Sequence, residues 1–110
     1  MLSNRLSPNI QQMAIKLRLT PAAQRDLVEI RIYSREQFGS NVADQYFRGF
    51  NQAFARLRTF PEVGVEQTGY REPFRSLLCG KHQLFYTFDG DLILIARIIH
   101  VARNAAALLN

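Results

Sequence analysis

The sequence predicts an α+β domain: an N-terminal strand, an antiparallel helical hairpin, and then a three-stranded antiparallel sheet. Three observations carry that prediction. Apolar residues alternate strictly over 15–19, recur at three and four over two long segments joined near Gly39, and then fill three short strand-forming runs divided by turn residues. At 110 residues the chain has room for one core, hence one domain.

Residues 1–13 are polar, contain Pro8 and show no period. They read as an N-terminal extension ahead of a domain spanning 14–110, with Met13 as an alternative start. Ile15, Leu17 and Leu19 then alternate with Lys16 and Arg18, the pattern of a half-buried strand with a basic wet face. Thr20-Pro21 supplies an N-cap followed by proline at the first helical position, where no amide donor is needed. The first helix runs to about Glu36 or Phe38. Ala23, Leu27, Ile30 and Ser34 share one face, with Val28, Ile32 and Tyr33 broadening the stripe. Gly39 stops that helix, and Ser40 or Asn41 is placed to cap the next.

In the second helix Val42, Ala43, Tyr46, Phe47, Phe50, Ala53, Phe54, Leu57 and Phe60 keep the helical period until Pro61 ends it. So short a link makes the two helices antiparallel neighbours. A loop over 62–73 follows, then strands near 75–78, 83–88 and 91–99. Asp89-Gly90 is a strong two-residue hairpin signal, and Gly80-Lys81 a weaker one. In the last strand Leu92, Leu94, Ala96 and Ile98 fall on one side, and Ile93, Ile95 and Ile99 on the other. A strand apolar at both parities lies inside a sheet covered on both faces. Two helices cover one face, so a partner chain is the expected cover of the second.

Net charge is the strongest bulk signal: +5, from 12 Arg and 2 Lys among 14 basic residues, with a pI near 10.0. Guanidinium supplies forked donors suited to carboxylates and phosphates, which points to an acidic partner. No apolar segment approaches the roughly 18–20 residues that cross a bilayer, and MLSNRLSPNIQQ lacks a signal core, so the cytoplasm is the expected compartment. A single cysteine, Cys79, excludes an internal disulfide. Arg25, Arg31, Arg35, Arg48, Arg56 and Arg58 read as a solvated helical face, with Asp44 at pairing distance in sequence from Arg48.

The polar residues in and after the last strand, Arg97, His100 and Arg103, must be paired, sit at an edge, or touch a partner. His82 and His100 lack any metal-site spacing; His82 is expected exposed beside a turn, and His100 hydrogen-bonded at a strand end. Cys79 has Lys81 nearby to lower its pKa but no base beside it, and reads better as a small, partly buried hydrophobe. A metal-free nuclease would need a base, an acid and cations. Its parts would be Arg75, Lys81, His82, Arg97, His100 and Arg103, with Tyr70 and Tyr86, although Gln83 and Leu84 stand where cations would be wanted.

The chain resembles the RelE/ParE toxin superfamily over residues 14–104. The resemblance lies in L-x-L-T-P-x-A-x-x-D-L (Leu17 to Leu27), F-P-x-x-G (Phe60 to Gly64), F-R-S-L (Phe74 to Leu77), L-F-Y-T-F-D-G-D (Leu84 to Asp91) and R-I-I-H-V-A-R (Arg97 to Arg103). It implies the toxin of a type II toxin–antitoxin system, neutralised by an acidic, partly helical antitoxin that wraps the toxin, adds to its sheet or covers its groove.

Members of the RelE branch cut mRNA on the ribosome with cations on the sheet and often a tyrosine near the C-terminus. Here Gln83 takes a position where that branch usually offers arginine, and no tyrosine follows Arg103. The R-I-I-H-V-A-R-N ending is more similar to the ParE branch, which inhibits DNA gyrase by protein binding. The resemblance thus implies no catalytic residue, metal or cofactor. Arg75, Arg97, His100 and Arg103 are the expected contacts to target or antitoxin, as sheet-edge groups that touch the partner or organise the C-terminus. The alternative is a RelE-like ribosome-dependent endoribonuclease using Arg75, Lys81, His82, Arg97, His100 and Arg103. A third reading is an inert member that only binds its antitoxin.

Overall fold

Alternation over Lys16–Leu19 does produce a strand, β1, and it joins the sheet beside the last strand of the chain. The computed structural model describes residues 15–110. The extension over 1–13 and the start at Met13 lie outside the described residues. Helices α1 (Pro21–Phe38) and α2 (Ser40–Thr59) form the hairpin, followed by β2 (Val65–Glu66), β3 (Arg75–Cys79), β4 (His82–Asp89), β5 (Leu92–His100) and a short helix α3 (Ala105–Leu109). The sheet order is β1-β5-β4-β3-β2, with β1 parallel to β5 and every other pairing antiparallel.

Thr20 caps α1 as expected, its side chain accepting the Ala23 amide, and Pro21 follows. The expected cap of α2 by Ser40 or Asn41 is not made. Gly39 alone joins the helices, at φ 87° and ψ 169°, a conformation only glycine adopts without strain. Its amide bonds Arg35 O at 3.0 Å and its carbonyl accepts Ala43 N–H at 3.1 Å, so one residue closes both helices. The buried stripe of α1 is narrower than the sequence pattern: Val28, Ile32 and Tyr33 are exposed. The hairpin is one layer thick, so only the arc of α1 facing β5 and α2 is covered. Asp44 crosses that hairpin to Arg31 at 3.5 Å, in place of Arg48 on its own helix, and Arg31 lies 4.0 Å over the Phe47 ring.

The main core lies between hairpin and sheet and is built on Phe50, Leu57, Leu84, Tyr86, Ile93, Ile95 and Ile98. Parity alone puts Ile98 on the opposite face. A bulge reassigns it: Phe85 opposes Arg97 while Tyr86 opposes Ile95, leaving Ala96 as the extra residue. Beyond it the side chains change faces, so Ile98 joins Ile93 and Ile95 while Ile99 turns away. The β4–β5 loop is also offset by one residue from its expected place. Asp89 pairs with Leu92, and Gly90-Asp91 makes the turn with Gly90 at φ 62°.

The second face of the sheet does not wait entirely for a partner. Phe74, Phe85 and Ile99 form a smaller core there, covered by Tyr70, Ala105, Leu108 and Leu109. The C-terminal Ala-Ala-Ala-Leu-Leu run is therefore docked as α3. Asn110 fastens it, accepting the Arg71 amide at 3.2 Å and donating to Gly69 O at 3.1 Å. The 62–73 loop contains one further element, β2, bonded along β3. Among the described residues no helix is long and apolar enough to cross a membrane.

Candidate functional site

Pairing of β1 with β5 stops at Leu19 opposite Ile95, yet β5 continues to His100. Along that remainder the edge of β5 is satisfied by the first turns of α1 instead of a strand. Thr20 donates its amide to Ile95 O at 3.0 Å and its hydroxyl to Ala96 O at 2.8 Å. Asp26 Oδ2 accepts the Ile98 amide at 2.9 Å. The same carboxylate receives Arg97 in fork geometry, Nε to Oδ2 at 2.8 Å and Nη2 to Oδ1 at 3.0 Å. That bond, more than the opposing burial, raises the Arg97 pKa still further above its ordinary range. The arginine that interrupts the apolar strand is therefore paired within the chain.

Beside this pair opens a cleft of about 550 Å³ between α1, the start of α2 and the far ends of β4 and β5. Lys81, His82, Arg97, His100 and Arg103 all line it. Five of the six residues singled out for a nuclease are thus brought together. The sixth, Arg75, is elsewhere: its Nη1 donates to Glu62 O at 3.1 Å and Gly64 O at 2.9 Å, and its Nη2 lies 3.5 Å from Glu66. It braces the segment before β3. The two tyrosines are also absent from the cleft lining. Tyr70 packs on Phe74 and Phe85, and the buried Tyr86 donates its hydroxyl to Pro61 O while accepting the Gly64 amide.

His82 is not the exposed turn residue the sequence implied. It opens β4 directly opposite His100, with ring centroids 5.2 Å apart and nearly perpendicular. Helix α2 lays Tyr46 and Phe50 against it, and Tyr46 Oη lies 2.7 Å from His82 Nδ1. Burial and then the neighbouring His100 push the His82 pKa down to about 4, with Asp26 opposing them in part. At neutral pH the ring is uncharged and too weak a base to suit proton abstraction. Cys79 moves opposite to the expected effect of Lys81: burial raises its thiol pKa, and it packs against the main core.

The depressed His82 pKa has a consequence for stability. The unfolded chain binds a proton below the ordinary histidine value of about 6.5, whereas the folded chain resists it down to about 4. Stability is therefore complete above about pH 6.5 and falls as pH is lowered through that window. His82 is only partly buried, and screening by solvent limits the loss to about 1–2 kcal/mol. Urea midpoints at pH 7 and pH 4.5 should differ by that much in the parent protein, and by less in His82→Gln.

Sequence reasoning missed Asp26 and Tyr46. Asp26 did carry a signal, because it shares the apolar face of Ala23, Ile30 and Ser34 and is buried to 9% exposure. An acid on a buried stripe and a base in a buried strand each need a partner. Tyr46 carried no such signal, since an aromatic at a helical core position needs no further role.

Comparison with known proteins places the chain. Residues 17–105 match the family described as ParE toxin of type II toxin-antitoxin system, parDE. The chain belongs to the ParE toxin family. Toxin ParE1 of Mycobacterium tuberculosis (strain ATCC 25618 / H37Rv) is 34% identical over 89 residues, 80% of this chain and 91% of that protein. Toxin ParE1 of Caulobacter vibrioides is 30% identical over 90 residues, 82% of this chain and 93% of that protein. A solved structure titled "Chromosomal ParDE TA system from P. aeruginosa" has a TM-score of 0.68 over 79% of this chain and 96% of its own, at 19% identity, a likeness of fold. In this ParE-family chain the matched segment contains α1, α2, β2 to β5 and all of β1 but Lys16, and so the whole of the cleft.

Proposed function

We propose that this chain is the growth-arresting half of a type II toxin–antitoxin pair. In this reading it acts in the cytoplasm by binding DNA gyrase, performs no chemistry of its own, and is neutralised by an acidic antitoxin encoded beside it. The observation that carries the reading is the character of the cleft. Its cations stand on apolar walls formed by Ile30, Phe38, Val42 and Ile98, its His82 ring is uncharged, and the Asp26 carboxylate is already paired with Arg97. Apolar walls with a charged rim suit a protein surface. Arg97 then acts as a positioning residue, and His100 and Arg103 are the contacts at the rim. Arg75 contributes by holding the 62–66 segment.

The test is in vitro supercoiling by gyrase with added folded protein, run beside ribosome-programmed mRNA cleavage. Inhibition of supercoiling without cleavage is expected. Arg103→Ala should weaken inhibition about tenfold, the loss of one rim charge contact of about 1.4 kcal/mol, while Arg35→Ala on the exposed face of α1 leaves it unchanged. Cleavage alone would reassign the cleft to an endoribonuclease, and no effect in either assay would leave an inert, antitoxin-binding member. Arg97→Ala is informative only at equal folded protein, because it strands Asp26.

A further inference from the structure

Unpartnered hydrogen-bond donors gather at the Lys81–His82 end of the cleft, whose lining also includes the Glu29 carboxylate. Asp26 commits both oxygens to Arg97 and the Ile98 amide. Tyr46 Oη accepts the Lys81 amide at 2.9 Å and lies 2.7 Å from His82 Nδ1, against 3.4 Å from Cys79 O. Its one proton goes to the nearer acceptor, so the neutral His82 ring carries its own proton on Nε2. His100 Nδ1 accepts the Ala102 amide at 3.0 Å, which selects the same tautomer. Among the described residues neither Nε2, nor the Lys81 ammonium, nor the Arg103 guanidinium has a hydrogen-bond or ion-pair partner. No unpartnered polar side-chain atom of the described residues is fully buried, so these donors face the water of the cleft.

We propose that this end of the cleft is a carboxylate-recognition site, receiving an aspartate or glutamate side chain of an apolar-faced protein segment on the Nε2–H groups of His82 and His100, with Lys81 and Arg103 beside them. The inference rests on the protein-binding reading above and gives that contact its chemistry. Two ring donors stand on facing positions of β4 and β5, with centroids 5.2 Å apart, and one carboxylate has two oxygens to accept from them. The apolar walls favour a peptide carboxylate over the phosphates of a nucleic acid, for which Ile30, Phe38 and Val42 offer nothing.

Docking is linked to protons. The titratable and charged groups that line the cleft or pack beside His82 are Asp26, Glu29 and Tyr33 from α1, Tyr46 from α2, and Cys79 at the end of β3. Lys81 in its own turn, Arg97 and His100 on β5 and Arg103 beyond it complete the set. Asp26 is held by Arg97 and Glu29 lies in the same lining, so a further carboxylate brought against the rings adds to the negative charge already there. That favours the protonated ring, and the anion binds more tightly as pH falls.

The probe is sodium formate against sodium chloride at equal ionic strength, added to the ¹⁵N-labelled full chain while the imidazole nitrogens are followed by NMR. Formate should shift the ring signals of both histidines and raise the His82 titration midpoint by about half a pH unit, a threefold change in proton affinity. Arg103→Ala should reduce that shift and Arg35→Ala should not. Rings indifferent to formate up to about 0.2 M, enough to fill a site of millimolar affinity, would overturn the assignment. So would a proton on Nδ1 of either ring in the free protein. A tighter response to inorganic phosphate than to formate would give the donors to a nucleic acid. Supercoiling inhibition by a chain whose rings ignore formate would sink this site alone, whereas rings that respond in a chain without effect on gyrase would sink the gyrase reading alone.

Discussion

Asp26→Ala is expected to lower the free energy of unfolding by about 3–4 kcal/mol, a large share of the 5–15 kcal/mol typical of a domain this size. Two costs combine. The Arg97 guanidinium, with 22% of its side chain exposed, loses both of its charge-assisted bonds. The Ile98 amide, buried on a strand edge with no neighbouring strand, loses its acceptor. Asp26→Asn should cost less, because an amide oxygen can still accept from Ile98. The double substitution Asp26→Leu/Arg97→Met should recover part of the loss, since removing both charges is cheaper than stranding one. Urea unfolding of the set decides it. A loss below about 1 kcal/mol in Asp26→Ala would mean that water satisfies the arginine and that the pair is ornamental.

Gly64→Ala is expected to cost about 2–3 kcal/mol and to lower the melting temperature by about 10 °C or more. An added Cβ would lie 2.6 Å from Tyr86 Oη, 2.7 Å from Tyr86 Cε1 and 2.9 Å from Ser76 O. None of these can yield cheaply. Tyr86 is fully buried in the main core, and its hydroxyl is anchored on Pro61 O at 2.7 Å. Ser76 O belongs to the backbone of β3. Relief by moving Gly64 would break its amide bond to Tyr86 at 2.9 Å and the Arg75 bond to its carbonyl at 2.9 Å. The F-P-x-x-G run thus has a physical basis, in which its proline carbonyl and its glycine amide grip one phenol from opposite sides. Calorimetry of Gly64→Ala checks it, with Gly69→Ala as a control in open space that tests only positive φ.

What the sequence revealed depended on how local the cause was. The helices, the stop at Gly39 and the β3–β4–β5 meander follow from periodicity and turn residues within a few positions, and they were legible, whereas the use of Gly39 as the cap of α2 as well was not. The bulge at Ala96 was not, because an apolar run of both parities contains no mark for one extra residue. Parallel pairing of β1 with β5 and the docking of α3 on Phe74, Phe85 and Ile99 depend on distant partners. The site divides similarly. Arg97, His100 and Arg103 stood out as polar interruptions, but the partner of Arg97 is 71 positions away on α1. Arg75 stood out for its charge alone, and the structure turns it toward its own chain. The setting of His82 came from Tyr46, 36 positions earlier, whose spacing announced only packing.

The seam between the first strand and the last has a consequence during synthesis. Thr20 and Ala96, joined by a hydrogen bond, lie 76 positions apart. Until β5 clears the ribosomal exit tunnel, β1 has no neighbour and Asp26 has no arginine, so the cleft does not exist in the nascent chain. Contacts of such long sequence separation form more slowly than local ones. No partner that needs the cleft can therefore be gripped until the last strand of the sheet has been made.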